Sequence, residues 1–285
     1  MIPKLKFDKE INIIIGNAIR EDVGDGDHTS LACVPKIANG KVKLLVKEAG
    51  VIAGVNFAKQ VFNYVDSSLS MNIMINEGAF VNKGDIVFYV EGASQSILRA
   101  ERLVLNGMQR MSAIATKTNV FVNLLRGTNT KILDTRKTTP GIRALEKWAV
   151  NIGGGENHRF GLYDMIMLKD NHIDFCGSIT KAITNVKQYL KNTDKDLKII
   201  VEARSLIEIE EILSCDGVFR ILIDNFSLKD TVKAVKMIGD KCLTESSGNI
   251  DETTVRKYAE CGVNYISSGA LTHSVHNMDL SLKAV

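Results

Sequence analysis

From residue 131 onward, short strand-like runs alternate with single helical segments, and this alternation restricts the chain to a parallel sheet. The strand-like runs are 131–138, a second ending at Lys169, KIIVEAR (198–204), RILIDN (220–225), CLTESSG (242–248) and NYISSGA (264–270). Helical patterns occupy 178–190, 205–214, 227–238 and 251–260 between the later runs. Pro140 stands where a helix after the first strand should begin, because its fixed φ suits a first helical turn. Strands joined one by one through helices build parallel βαβ units. Regular repetition without a GxGxxG turn favours a barrel over a doubly wound sheet. The triple glycine of GGGENH matches neither the dinucleotide fingerprint nor a P-loop, which ends in GK[ST].

In such sheets ligands are held at the C-terminal ends of the strands. Those ends carry Thr135, Arg136 and Lys137; Lys169 and Asp170; Glu202; Asp224 and Asn225; Ser246 to Asn249; and Ser267, Ser268 and Gly269. Within 131–173 lie Arg136, Lys137, Arg143, Lys147, His158, Arg159, Lys169 and His172, interleaved with turn glycines. Cations converging on one mouth repel each other unless an anion sits among them. Singly, the carboxylates read as salt-bridge partners and the serines as helix N-caps. Together they form one pattern. Small Ser/Gly turns expose N–H groups suited to a phosphate. Two carboxylates beside a phosphate suit Mg²⁺, and further Arg and Lys suit a second, carboxylated molecule. A transferase and a Schiff-base aldolase using Lys137 or Lys169 both fit this chemistry.

The remainder of the chain sets bounds. At 285 residues, one large or two unequal domains are expected. The net charge of +3 is too small for a nucleic-acid coat, and the basic residues are not interleaved with stacking aromatics. Cys33, Cys176, Cys215, Cys242 and Cys261 are scattered without a C-x-x-C pair, which reads as reduced thiols in a cytoplasmic protein. The N-terminus lacks a signal-peptide pattern, and no apolar run is long enough to span a membrane. Residues 8–20 are patterned as a short helix ending at EDVGDGDHTS. Its aspartates do not fit a calcium loop, which needs Glu at position 12; Asx turns are expected instead. Residues 40–92 are β-rich, with INEGAFVNKGDIVFYVEG reading as two short strands about a glycine turn. That segment is like a lipoyl-domain hairpin but lacks an acceptor lysine at its tip, so a covering sheet with helices is expected. In 97–126, Val104, Met108, Met111 and Ala115 make an apolar helical stripe, while Arg102, Asn106 and Gln109 make a polar one.

The stretch DTRKTTPGIRALEKWAVNIGGGENHRFGL followed by MLKDNHI resembles the quinolinate phosphoribosyltransferase family. EDVGDGDHTS, ERLVLNGMQRMSAIAT, LIDN, ESSGNI and ISSGALTHS agree in order and spacing. The resemblance covers essentially the whole chain. It implies an α/β protein with two domains. One is an N-terminal α/β sandwich over 1–115, joined by the tail 273–285. The other is an incomplete, TIM-like parallel α/β barrel of about seven strands over 116–272.

The implied reaction joins quinolinate to phosphoribosyl pyrophosphate, giving nicotinate mononucleotide, pyrophosphate and CO2. By that resemblance Arg136, His158, Arg159 and Lys169, with Thr135 beside them, would hold the quinolinate carboxylates. Arg102 would reach them from a neighbouring subunit, implying a homodimer or a hexamer of dimers. Lys137 would sit by the sugar or pyrophosphate. Glu202 and Asp224 would face the ribose hydroxyls and Mg²⁺. Ser247, Gly248 and Asn249, with Ser267, Ser268 and Gly269, would take the 5′-phosphate, and His273 lies just beyond. Where the family strand commonly reads E-V-E-V-E, this chain has Ile200, Val201, Glu202, Ala203 and Arg204, and ESSGNI stands for EASGGI.

Overall fold

A computed structural model describes residues 8–285; the first seven, where no export signal is expected, lie outside the described residues. In chain order the elements begin α1 Asp8–Val23, α2 His28–Cys33, β1 Asn39–Val46, β2 Gly50–Val51, α3 Val55–Val65, β3 Ser70–Ile73, β4 Phe80–Val81, β5 Ile86–Ala93 and α4 Ser94–Leu124. They continue with β6 Lys131–Leu133, α5 Arg143–Ile152, β7 Ile166–Leu168, α6 Asp170–Cys176, α7 Ile179–Asn192, β8 Ile199–Ala203 and α8 Leu206–Leu213. The last are β9 Arg220–Asp224, α9 Leu228–Ile238, β10 Leu243–Ser247, α10 Val255–Glu260, β11 Tyr265–Ser267, α11 Ala270–His273 and β12 Leu280–Ala284. Two compact units result: residues through Asn119 with Thr138–Gly154 and Leu271–Val285, and Val120–Lys137 with Gly155–Ala270. Residues 138–154 thus cluster with the first unit, whereas the sequence reading grouped them with the barrel.

The first unit holds an antiparallel sheet in the order β12-β1-β5-β3. The C-terminal strand pairs with β1 from Val42↔Ala284 to Val46↔Leu280. The expected hairpin of residues 75–92 does not form as one: β4 pairs with β2, and β5 with β1 and β3. Val81 is buried against one partner and Val87, Phe88 and Val90 against another, so the two halves bury their apolar faces in different sheets. Helix α3 starts at Gly54, whose φ of 89° a side-chained residue rarely adopts. Its first amides are satisfied by Glu77, which accepts from Gly54, Val55 and Asn56. The α4 stripe of Val104, Met108, Met111 and Ala115 is fully buried, as its spacing required. In the polar stripe, Gln109 donates to the Leu280 carbonyl at 3.0 Å, whereas Arg102 and Asn106 are exposed.

The second unit is a parallel α/β sheet of six strands among the described residues, ordered β6-β11-β10-β9-β8-β7. Consecutive strands are neighbours, and β11 returns to pair with β6 through Tyr265↔Lys131 and Ser267↔Leu133. The ring is therefore closed everywhere except between β6 and β7. There the seventh strand of the expectation is reduced to one bridge, Leu133↔Glu156. Interior strands such as β8 are buried along their whole length, as a sheet covered on both faces requires. Ser178, Ser205 and Ser227 cap α7, α8 and α9 by accepting from the third residue onward. The helix expected from Pro140 begins only at Arg143, after a turn in which Gly141 has φ 84°. Helix α6, directly after Lys169, was not expected from the sequence.

Candidate active site

Side chains alternate across each strand, so Glu202 on β8, Leu222 and Asp224 on β9, Glu245 and Ser247 on β10, and Tyr265 and Ser267 on β11 share one face. The register Glu202↔Leu222↔Glu245↔Tyr265 forms one row, and Ser247↔Asp224 stands one step nearer the C-terminal ends. The strand-end residues of the second unit therefore gather at one mouth.

Asp134, fully buried at the end of β6, accepts from the His158 amide at 2.8 Å and from Asn157 Nδ2 at 2.6 Å. This ties the GGGENHR loop to the strand that carries Thr135 and Arg136. Arg159 donates from Nη1 to the Met165 carbonyl at 3.1 Å, and its amide donates to His158 Nδ1 at 2.7 Å. Burial lowers the Arg159 pKa, the Arg136 charge lowers it further, and Asp164 opposes both. The two guanidinium groups therefore repel across a partly desolvated space. Among the described residues neither has a carboxylate at ion-pair distance. The Lys137 amide donates to Thr135 Oγ1 at 3.0 Å, shaping the turn that presents Arg136.

At the ends of β7 and β8, Lys169 Nζ lies 3.5 Å from Glu202. The Glu202 carboxyl is raised by burial, lowered by Lys169, and raised again by Asp224 and Asp170. Asp224 accepts from Ser247 Oγ at 2.5 Å and from Asn225 Nδ2 at 2.6 Å. These carboxylates, close and mutually repelling, have the oxygen chemistry a divalent cation shared with phosphates takes. Among the described residues no group of three or more His, Cys, Asp or Glu is placed to hold a metal alone. The Ser247–Asn249 turn bends through Gly248 at φ 96° and Asn249 at φ 50°, conformations that turn successive amides to one side.

Several expected residues face elsewhere. His158 is turned inward: Nδ1 accepts from the Arg159 amide, and Nε2 lies 3.4 Å from Glu245. Ser268 donates its hydroxyl to the Ile250 carbonyl at 3.0 Å and its amide to Leu133 at 3.1 Å, so it anchors the turn. Arg102 and His273 belong to the first unit; both are exposed, and His273 Nδ1 lies 2.6 Å from Ser274 Oγ. Of the two positions that depart from the acidic strand pattern, Arg204 binds Asp174 and Glu208 on the surface and Ile200 is fully buried. Sequence reasoning missed Asp134 and the Arg220–Glu245 pair at 2.6 Å. Asp134 could have been found as a lone acid ending an apolar strand; Arg220, at a strand start, gave no signal.

Two family models match: the N-terminal domain of quinolinate phosphoribosyl transferase over residues 27–112 and its C-terminal domain over 114–283. A quinolinate phosphoribosyltransferase [decarboxylating] of Nicotiana tabacum is 44% identical over 95% of this chain and 81% of its own length. A probable nicotinate-nucleotide pyrophosphorylase [carboxylating] of Bacillus subtilis is 38% identical over 96% of this chain and 93% of its own. The crystal structure of NadC from Streptococcus pyogenes superposes with a TM-score of 0.90 at 39% identity, covering 97% of this chain and 98% of that one. These matches span both units, and with them this chain belongs to the quinolinate phosphoribosyltransferase family.

Proposed function

We propose that this enzyme transfers the phosphoribosyl group of phosphoribosyl pyrophosphate to quinolinate with decarboxylation, giving nicotinate mononucleotide, pyrophosphate and CO2, a step of de novo NAD biosynthesis. The observation that carries the reading is the Arg136–Arg159 pair, two mutually repelling cations with no carboxylate at ion-pair distance among the described residues, Asp164 opposing the repulsion only in part. Such a pair suits an adjacent dicarboxylate, which each guanidinium can grip with two parallel hydrogen bonds. Lys169 lies beside Glu202 at the end of β7, a further cation for the same ring. Thr135 shapes the Arg136 turn, and Lys137, exposed at its edge, serves the sugar or pyrophosphate.

Glu202 and Asp224 would face the ribose hydroxyls and would be the residues to hold a magnesium ion. Bound there, magnesium supplies positive charge that stabilises the departing diphosphate. The Ser247–Asn249 turn takes the 5′-phosphate through backbone amides, with the Ser267–Gly269 turn beside it, where the Ser268 amide and hydroxyl hold the turn itself. As the C1–oxygen bond to pyrophosphate breaks, the pyridine nitrogen bonds to C1. The quaternised ring then accepts the electron pair left by the departing carboxylate, and a proton replaces CO2 on the ring carbon. Residues of this chain orient the two anions and exclude water, so no protein nucleophile is needed.

We further infer a homodimer, or a hexamer built from dimers, in which exposed Arg102 on α4 serves a neighbouring copy, with His273 a further substrate-binding candidate. The free thiols of all five cysteines support a reducing, cytoplasmic setting. The deciding experiment measures CO2 release from carboxyl-labelled quinolinate with and without phosphoribosyl pyrophosphate and Mg²⁺. Release that requires all three supports the reading. Its absence, or a borohydride-trapped adduct on Lys169, overturns it.

A further inference from the structure

Inside the barrel, below the mouth, lies a charged cluster that the proposed chemistry does not use. Arg220 opens β9 and Glu245 sits at the centre of β10. Their side chains are 8% and 0% exposed, with Nη1 2.6 Å from Oε2. The guanidinium carbon lies over two aromatic rings, 4.1 Å from the Tyr265 centroid and 5.4 Å from that of Phe219. Its Nε is buried without a hydrogen-bond partner. A buried ion pair with an unsatisfied donor is a poor source of stability, since an apolar pair of similar volume often does as well or better.

The same Glu245 oxygen lies 3.4 Å from His158 Nε2. His158 Nδ1 accepts from the Arg159 amide at 2.7 Å, so the ring hydrogen belongs on Nε2, which is buried beside the carboxylate without meeting hydrogen-bond geometry. A chain of contacts therefore runs from Arg220 through Glu245 and His158 to the backbone of Arg159. Arg159 is the residue that must be held near Arg136 against their mutual repulsion.

We propose that Arg220 and Glu245 are positioning residues for the carboxylate-binding arginines: they fix the ring orientation of His158, which holds Arg159 in place. This rests on the dicarboxylate reading for its kinetic consequence, but not for the placement of the proton.

The test has two parts. Long-range ¹H–¹⁵N correlation spectra of the native protein report which nitrogen of His158 is protonated. Protonation at Nε2 alone is expected; an Nδ1–H tautomer overturns the proposal whatever the substrate. In the second part, the double variant Arg220→Met with Glu245→Leu replaces the pair by apolar groups and should fold with a native or higher Tm. Its KM for quinolinate should rise roughly tenfold, with the KM for phosphoribosyl pyrophosphate within about twofold of native, as a displaced binding group requires. In Glu245→Gln, which retains an acceptor, the rise should be smaller. A folded double variant with native quinolinate KM, or with equal losses for both substrates, overturns the proposal. If the native protein does not turn over quinolinate, the activity reading fails while the His158 spectrum still decides the positioning claim.

Discussion

Arg136 is the side chain whose loss should cost function most directly. Arg136→Ala removes a two-bond grip on a carboxylate, worth about 1.5–3 kcal/mol for hydrogen bonds to charged groups. The KM for quinolinate should therefore rise about 10- to 150-fold, with the KM for phosphoribosyl pyrophosphate little changed in steady-state assays. Unaltered quinolinate kinetics would remove Arg136 from the site. Glu202 behaves differently. Burial and the nearby Asp224 and Asp170 charges raise its carboxyl, against Lys169, so keeping it ionised at neutral pH works against folding. Glu202→Gln should then show a higher Tm than native without ligand, yet lower kcat/KM for phosphoribosyl pyrophosphate. Calorimetry and kinetics together check this trade, the usual one where a site is built from strained charges.

Among the elements, two short segments depend on single contacts. The Ser247–Asn249 turn holds Gly248 at φ 96°, and a Cβ there would collide with Asn225 Oδ1 and approach the Asn225 backbone nitrogen at 2.9 Å. Gly248→Ala should shift the turn, cost roughly 1–3 kcal/mol, and raise the KM for phosphoribosyl pyrophosphate more than that for quinolinate. Helix α3 relies on Glu77 for its first amides and for Asn56 Nδ2. Glu77→Ala should lower stability by about 1–3 kcal/mol in urea titrations, while catalysis per folded molecule stays native. The helices α7 to α9 were legible from their serine caps and periodicity. The shortened β6 and β11 were not, because three-residue strands in a nearly closed ring are set by their neighbours rather than by local propensity.

For the molecule as a whole, acid should be the weak direction. Burial pushes the Glu245 carboxyl up, but His158 beside it, with Arg220 and Ser267, holds it down from 4.5 to about 2. A carboxylate depressed in the folded state contributes stability above its unfolded value and loses it as pH falls through the folded one. The second unit should accordingly lose stability between about pH 4.5 and pH 2. Glu245→Gln should flatten that part of the curve in circular dichroism melts taken across pH. The sequence alone determined the parallel α/β organisation and its strand ends, because hydrophobic periodicity and the residue ending each strand are local facts. It also carried the motifs that mark the family. Only the tertiary structure decided which strand-end groups are spoken for. Ser268 is consumed by backbone contacts, His158 faces Glu245, residues 138–154 cluster with the first unit, and Arg220 lies inside the barrel. Each of these depends on partners distant in sequence, and burial among them, rather than residue type, fixes whether a polar group serves the fold or the ligand.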